Sequence, residues 1–206
     1  MEMTTALWSF ALVVGLLTLT PGLDTALILR TSALGHRRQA WGVVLGIQAG
    51  TLTWGTLTSA GVTALLTASQ VAYEVLRWAG AAYLVWMGIG MLRSRGDGAD
   101  PEEGPVDGGL AHGWRRGLLT NLLNPKVGVF YVAVLPQFIP ANAPHFAAGV
   151  ALTCVHVVEG LIWSTVLVGF AQAVRGWLRR PAARRLMDRV TGAVVVGFGV
   201  KLALSD

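Results

Sequence analysis

The sequence predicts an all-α integral membrane protein with six transmembrane helices arranged as a 3+3 inverted repeat in which helices 1 and 4 are broken. Three observations predict it. Of the 206 residues, 53% are hydrophobic and only 13% are charged, against roughly 25% charged in ordinary soluble domains. Apolar runs of about twenty residues, the length that crosses ~30 Å of hydrocarbon, recur along almost the whole chain. Two of these runs are interrupted by proline at corresponding places in the two halves.

The runs are Thr5–Leu34, Gln39–Leu66, Val71–Leu92, Trp114–Phe138, Phe146–Val174 and Val190–Leu204. With short connections they nearly exhaust the chain, so a single membrane domain is expected over residues 1–206. Half one covers about 1–93 and half two about 113–206. Between them, about 94–112, lies the one hydrophilic stretch, Gly96-Asp97-Gly98-Ala99-Asp100-Pro101-Glu102-Glu103 at its centre, which reads as a flexible cytoplasmic linker. Met1-Glu2-Met3 runs straight into apolar sequence without a positive leader or a small-residue cleavage site. The first segment is therefore expected as a mature helix.

The formal charge of +5 comes from arginines in the connections, not from one basic face, so nucleic acid is not an expected partner. Arg30, Arg37 and Arg38 flank the first connection; Arg93, Arg95, Arg115 and Arg116 flank the third. The fifth carries Arg175, Arg179, Arg180, Arg184, Arg185 and Arg189, while the other two connections hold little beyond Arg77. Because Lys and Arg stay cytoplasmic, the odd connections face inward and both termini lie outside. The stretch Arg175–Arg189, with Trp177, Leu178, Leu186 and Met187, reads as a short interfacial helix on anionic lipid or as a solvated loop. Trp41, Trp78, Trp114 and Trp177 sit near segment ends, as in an interfacial belt. The single cysteine, Cys154, excludes a disulfide framework and a cysteine-based metal site.

The halves repeat weakly. Thr20-Pro21-Gly22-Leu23-Asp24 breaks the first run and Asn124-Pro125-Lys126 the fourth. Arg77-Trp78-Ala79-Gly80-Ala81, followed by Gly88-Ile89-Gly90, is echoed by Arg189-Val190-Thr191-Gly192-Ala193, followed by Gly197-Phe198-Gly199. Three helices per half is an odd number, so the second half is inverted relative to the first.

Proline removes a backbone hydrogen bond, and Gly22 lets the chain unwind. Backbone groups freed at membrane depth are tolerated only against protein or a watery cavity. Ionisable residues inside the runs are few: Asp24, Lys126 and Glu159, with His156 one turn before Glu159. Each costs ~2.5–3.5 kcal/mol at the bilayer centre, so they are expected to face the interior and mark a solute pathway, a proton relay or a structural Asp24–Lys126 ion pair. Gln48 and Asn121, polar residues in apolar runs, either bond neighbouring helices or line a cavity. Gly42, Gly46 and Gly50 share one face of segment two, which packs either within the chain or against a second copy in a homo-oligomer.

At these residues the chain resembles the LysE/RhtB family of bacterial amino-acid exporters. The resemblance rests on Thr20-Pro21-Gly22-Leu23-Asp24, Leu34-Gly35 and the Gly42/Gly46/Gly50 helix. It continues through Gly80-Ala81-Ala82-Tyr83-Leu84, Gly88 and Leu92-Arg93. Gly117-Leu118-Leu119-Thr120-Asn121-Leu122-Leu123-Asn124-Pro125-Lys126 and Leu135-Pro136-Gln137-Phe138 complete it. Where the family usually has Pro-Gly-Pro before the aspartate, Leu23 takes the third place here. The resemblance implies a multi-pass protein of the bacterial inner membrane that exports amino acids or related small solutes, driven by the proton gradient or by exchange. It carries over Pro21, Gly22, Asp24, Asn124, Pro125 and Lys126; Glu159 is added by its membrane cost.

The expected activity is therefore proton-coupled export of a small zwitterion, with the substrate, protons and the lipid bilayer as partners. Asp24 is expected to meet the substrate ammonium or carry the coupling proton. Lys126, with backbone N–H groups after Pro125, is expected to meet the carboxylate, and Glu159 to serve as reserve proton carrier. A cation or metal exporter is the alternative within transport, but it calls for convergent carboxylates, His or Cys. A membrane-embedded enzyme calls for a motif such as His-x-x-Glu-His or Gly-x-Ser-x-Gly, which the sequence lacks, and a structural subunit needs no paired breaks. No catalytic residue, metal or cofactor is expected.

Overall fold

The structure is a computed structural model, and it describes residues 2–68, 70–93, 108–171, 173 and 180–204. The described residues are helical and joined by turns. Helix α1 is Met3–Leu19, α2 Leu23–Ala33, α3 Arg37–Ala68 and α4 Gln70–Arg93; α5 is Leu110–Leu122, α6 Pro125–Val129, α7 His145–Gly169 and α8 Pro181–Leu204. By length and composition α7 suffices to cross a membrane. The pairs α1–α2 and α5–α6, the latter extended to Phe138, suffice if each is taken as one bent span. Outward faces carry Trp8, Leu12, Leu57, Trp86, Ile162 and Phe170, each more than 60% exposed. Large apolar side chains so exposed along whole helix faces fit lipid, not water.

Each bent pair turns by 54° at its proline. Pro21 cannot donate to the carbonyl of Leu17, so α1 ends at Leu19. Gly22 in extended backbone then caps the start of α2. At the second break Asn124 is the N-cap of α6, its side chain accepting from the Lys126 backbone N–H at 3.1 Å, and Pro125 takes the first helical position. Beyond α6 the helix widens into a π turn over Phe130–Val134, where the Leu135 N–H reaches back to the Phe130 carbonyl. It then tightens into a 3₁₀ turn over Leu135–Phe138. Pro136 explains the change, because its missing N–H interrupts the ladder just there. Gly35, at φ 84°, makes the left-handed turn between α2 and α3.

Two helix pairs approach through glycine. On α3, Gly42 and Gly46 lie against the backbone of Leu110 and Trp114, while Gly113 and Gly117 of α5 lie against that of Gln39 and Val43. A side chain at any of the four would strike main chain. Gly50 completes the α3 row against Asn121. This face is filled by α5 of the same chain, so it is not the surface for a second copy that its spacing also allowed. Gly88 of α4 and Gly192 and Gly199 of α8 bring the second pair together in the same way.

Two boundaries differ most from expectation. Helix α5 starts at Leu110, inside the expected linker; residues 94–107 lie outside the described residues. Helix α8 starts at Pro181, not at Val190, so the 181–189 part of the arginine stretch is the opening of α8, not a separate interfacial element or loop. Proline at the first position followed by Ala182, Ala183, Arg184, Arg185, Leu186 and Met187 favours helix throughout. Residues 175–179, Trp177 among them, lie outside the described residues, as does the side chain of Arg77.

Two dry clusters form the interior. One joins Phe10, Val14 and Leu17 of α1 to Phe130, Tyr131, Val134, Leu135 and Phe138 and to Leu152 of α7. The other joins Leu27, Ile28 and Leu29 of α2 to Ala40, Val43, Val44 and Ile47 of α3 and Leu167 and Val168 of α7. Between them lies a polar cavity.

Candidate functional site

The cavity has a volume of about 70 Å³, room for several waters or one small solute. Both breaks open onto it. From the first come Thr20, Gly22 and Asp24; from the second, Asn121, Asn124 and Lys126. Helix α3 contributes Gln48 and Thr51, and α7 contributes His156, Gly160, Trp163 and Ser164. Leu17 of the first cluster borders one side, and Ile28, Ile47 and Leu167 of the second border the other.

The two breaks hold each other. Asp24 stands in the first turn of α2, and its carboxylate accepts from Asn121 Nδ2 at 2.8 Å and from Asn124 Nδ2 at 3.4 Å. Lys126 stands in the first turn of α6, and its ammonium donates to the carbonyls of Leu17 and Thr20, both at 3.2 Å. The Leu17 carbonyl is the one that Pro21 leaves without its helical donor. A cation at the C-terminal end of α1 also answers that helix's dipole, and the aspartate in the first turn of α2 answers the dipole of α2. Lysine carries three donors, so one direction of the Lys126 ammonium remains for another acceptor. Among the described residues Asp24 and Lys126 close no ion pair with each other; each is bound by the opposite break. The two charges still attract each other electrostatically, within a reciprocal clasp of hydrogen bonds from the opposite breaks.

Several groups in this shell lack partners. Asn121 Oδ1 and Trp163 Nε1 are buried without a hydrogen bond. A buried polar group left so costs about 1–3 kcal/mol, a debt that a polar occupant can discharge.

Of the other residues singled out from sequence, Gln48 is buried on the cavity wall. Gly22 adopts extended backbone that any residue can take, and an added Cβ there meets nothing within 4 Å. Its lack of a side chain leaves open space beside the cavity; it does not relieve strain. Pro21 and Pro125 shape the breaks without lining the cavity, and Pro125 faces an apolar groove of about 360 Å³ beside Trp54 and Tyr83. Glu159 also lies off the cavity wall. A Cβ on Gly15 of α1 would sit 3.2 Å from its Oε2, which is buried without a partner.

Sequence reasoning passed over Thr20, Thr51, Trp163 and Ser164, and did not place His156 in the site. His156 accepts from or donates to the buried Tyr131 hydroxyl through Nδ1 at 2.8 Å, and the two rings stack at 5.7 Å. Thr20 touches Thr191 of α8 through the two hydroxyls, and Asp188, one turn earlier on α8, interacts electrostatically with Lys126. The signal available was periodic: His156, Gly160 and Ser164 recur every fourth residue, small or polar, along one face of an otherwise apolar run.

Apolar helices broken in pairs around a cavity lined by charged and polar side chains define a membrane transport protein. A family model for the LysE type translocator matches residues 6–206, and the chain belongs to that family. It is 32% identical to a homoserine/homoserine lactone efflux protein of Salmonella typhi over 198 residues, covering 95% of this chain and 96% of the relative. It is 30% identical to a threonine efflux protein of Escherichia coli K12, covering 91% and 92%. An uncharacterized membrane protein of Vibrio cholerae is 30% identical over 90% of each chain. No solved structure matches.

Proposed function

We propose that the protein exports small zwitterionic amino acids in exchange for protons, through six spans built as two inverted halves. The observation that carries this reading is the clasp of Asp24 and Lys126 across the two breaks. One anion and one cation then share the wall of a single cavity, as the two ends of an α-amino acid require. The names of two relatives, efflux proteins for homoserine and for threonine, support an amino-acid cargo.

In this mechanism the substrate carboxylate takes the free direction of the Lys126 ammonium. The substrate ammonium competes with the Asn121 and Asn124 amides for Asp24. A proton competes for the same carboxylate, and protonation removes the charge that the amides hold. One site that accepts either a proton or an ammonium is the condition for exchange. Glu159 makes no substrate contact in this reading and stays a reserve proton carrier between α1 and α7.

The six-span count joins α1 to α2 and α5 to Phe138, with α3, α4, α7 and α8 as the remaining spans. At about 1.5 Å per residue, the 24 residues of α4 and of α8 are each ~36 Å long, enough for the hydrocarbon core. Helix pairing supports an inverted repeat: α3 packs on α5, α7 packs on α1 and α2, and α4 packs on α8. Exchanging the halves maps the first contact onto the second and the third onto itself. The arginine distribution puts the α2–α3 turn and the linker in the cytoplasm and both termini outside.

The test is efflux of labelled threonine from proteoliposomes with and without an imposed pH gradient. Wild-type protein is expected to accelerate efflux when the gradient opposes it in sign, and Asp24→Asn to abolish that acceleration while the protein still purifies folded. Undiminished pH-driven efflux by Asp24→Asn removes Asp24 from coupling. Failure of the wild type to move any of a panel of amino acids overturns the exporter reading.

A further inference from the structure

At the charged end of the chamber the clasp engages Asp24 and two of the three Lys126 donors, while the wall formed by α3 and α7 has no such internal bonding. Gln48 is 6% exposed and Ser164 3%; both line the cavity, and neither side chain hydrogen-bonds to another described residue. The Gln48 amide lies directly over Gly160, one turn before Ser164. A Cβ at Gly160 would sit 2.9 Å from both Nε2 and Oε1 of Gln48. The bare glycine therefore leaves the space that the amide occupies. Beside it, the Asn121 Oδ1 and the Trp163 indole N–H are buried and unpaired.

An amide and a hydroxyl together offer donors and acceptors but no charge. A cationic side chain would call for a carboxylate, and among the cavity residues only Asp24, already engaged by the clasp, supplies one. An aliphatic side chain would leave Gln48 and Ser164 unpaired. A hydroxyl both donates and accepts, and it fits a chamber of about 70 Å³. Ile47 and Leu167 on the same side supply carbon contacts for the rest of a short side chain.

Resting on the exporter reading, we propose that Gln48 and Ser164 form a side-chain subsite for a substrate hydroxyl, which makes the protein selective for small hydroxylated amino acids over aliphatic ones of the same shape. Gly160 is a positioning residue for Gln48.

Threonine and valine share a shape and differ by a hydroxyl in place of a methyl, so their transport ratio reads the subsite directly. In proteoliposomes, wild-type protein is expected to favour threonine over valine by about tenfold or more, since a site built to bond a hydroxyl rejects its analogue. Gln48→Leu and Ser164→Ala are each expected to bring the ratio toward one by slowing threonine while valine transport persists, which also shows that the variant is folded. Gly160→Ala is expected to move the ratio in the same direction by displacing the amide. If Gln48→Leu transports neither amino acid, Gln48→Asn, one methylene shorter, is read in its place. Wild-type transport of both amino acids at equal rates, or a ratio unchanged in all variants, overturns the subsite and leaves the exporter reading standing. Transport of neither by the wild type overturns both.

Discussion

In the proposed mechanism Lys126 carries two tasks, and one substitution tests both. Its ammonium binds the Leu17 and Thr20 carbonyls, which stabilises the first break, and under the exporter reading its remaining donor meets the substrate. Hydrogen bonds to a charged group contribute about 1.5–3 kcal/mol, so Lys126→Met is expected to lose about that much stability, read as a lower melting temperature in detergent. The same variant should no longer be stabilised by added threonine. A variant as stable as the wild type would mean that the freed carbonyls find another donor, and the clasp would not be structural. The importance of Asp24 and Lys126 was legible in the sequence, because a charge in an apolar run is expensive wherever the run folds. Their partners were not. Nothing near Asp24 in the chain announces that Asn121 and Asn124, about a hundred positions away, provide its amides.

The helices themselves are held by backbone proximity. Gly46 of α3 faces the backbone of α5 so closely that an added Cβ would lie 2.7 Å from the Leu118 nitrogen. Main chain cannot turn aside as a flexible side chain can, so Gly46→Ala is expected to force α3 and α5 apart at a cost of about 3 kcal/mol. Gly61, in the same helix, has nothing within 4 Å of its added Cβ. Gly61→Ala should be neutral or stabilising by about 0.5–1 kcal/mol, as glycine is the poorer helix former. Thermal unfolding of the two variants side by side decides the matter; equal melting temperatures would contradict the packing. The glycine row was visible as a spacing in the sequence, but that spacing serves an intrachain neighbour and a second copy equally well. Only the position of α5 chose between them. The early start of α8 was missed for a related reason: the arginine stretch was read as a separate interfacial helix or a loop, although alanine, leucine, methionine and arginine let one helix run on through it.

Across the molecule, the chamber lies between two dry plugs. One is built on Phe10, Val14, Phe130 and Leu135, the other on Ile28, Val43, Ile47 and Leu167. Close-packed apolar clusters are bistable and resist gradual deformation, so the proposed export calls for the plugs to open in turn. With Cys154 replaced by serine, cysteines introduced at Val14 and at Leu167 report on the two sides. Labelling by a membrane-impermeant thiol reagent is expected to rise at one position and fall at the other when threonine is added. A change of the same sign at both would contradict alternating access.

The sequence by itself determined that the chain is helical and apolar, where its runs break, and which charged residues enter them. These features are local: a proline lacks its N–H and a charge resists desolvation whatever surrounds it. The tertiary structure alone decided that the two breaks clasp each other, that Lys126 takes the carbonyl Pro21 had freed, and that Glu159 stands off the cavity while Gln48 and Ser164 line it. Those facts depend on which groups meet over 97 and 109 positions of chain, and such meetings follow from how whole helices pack, for which no short stretch of residues carries a signal.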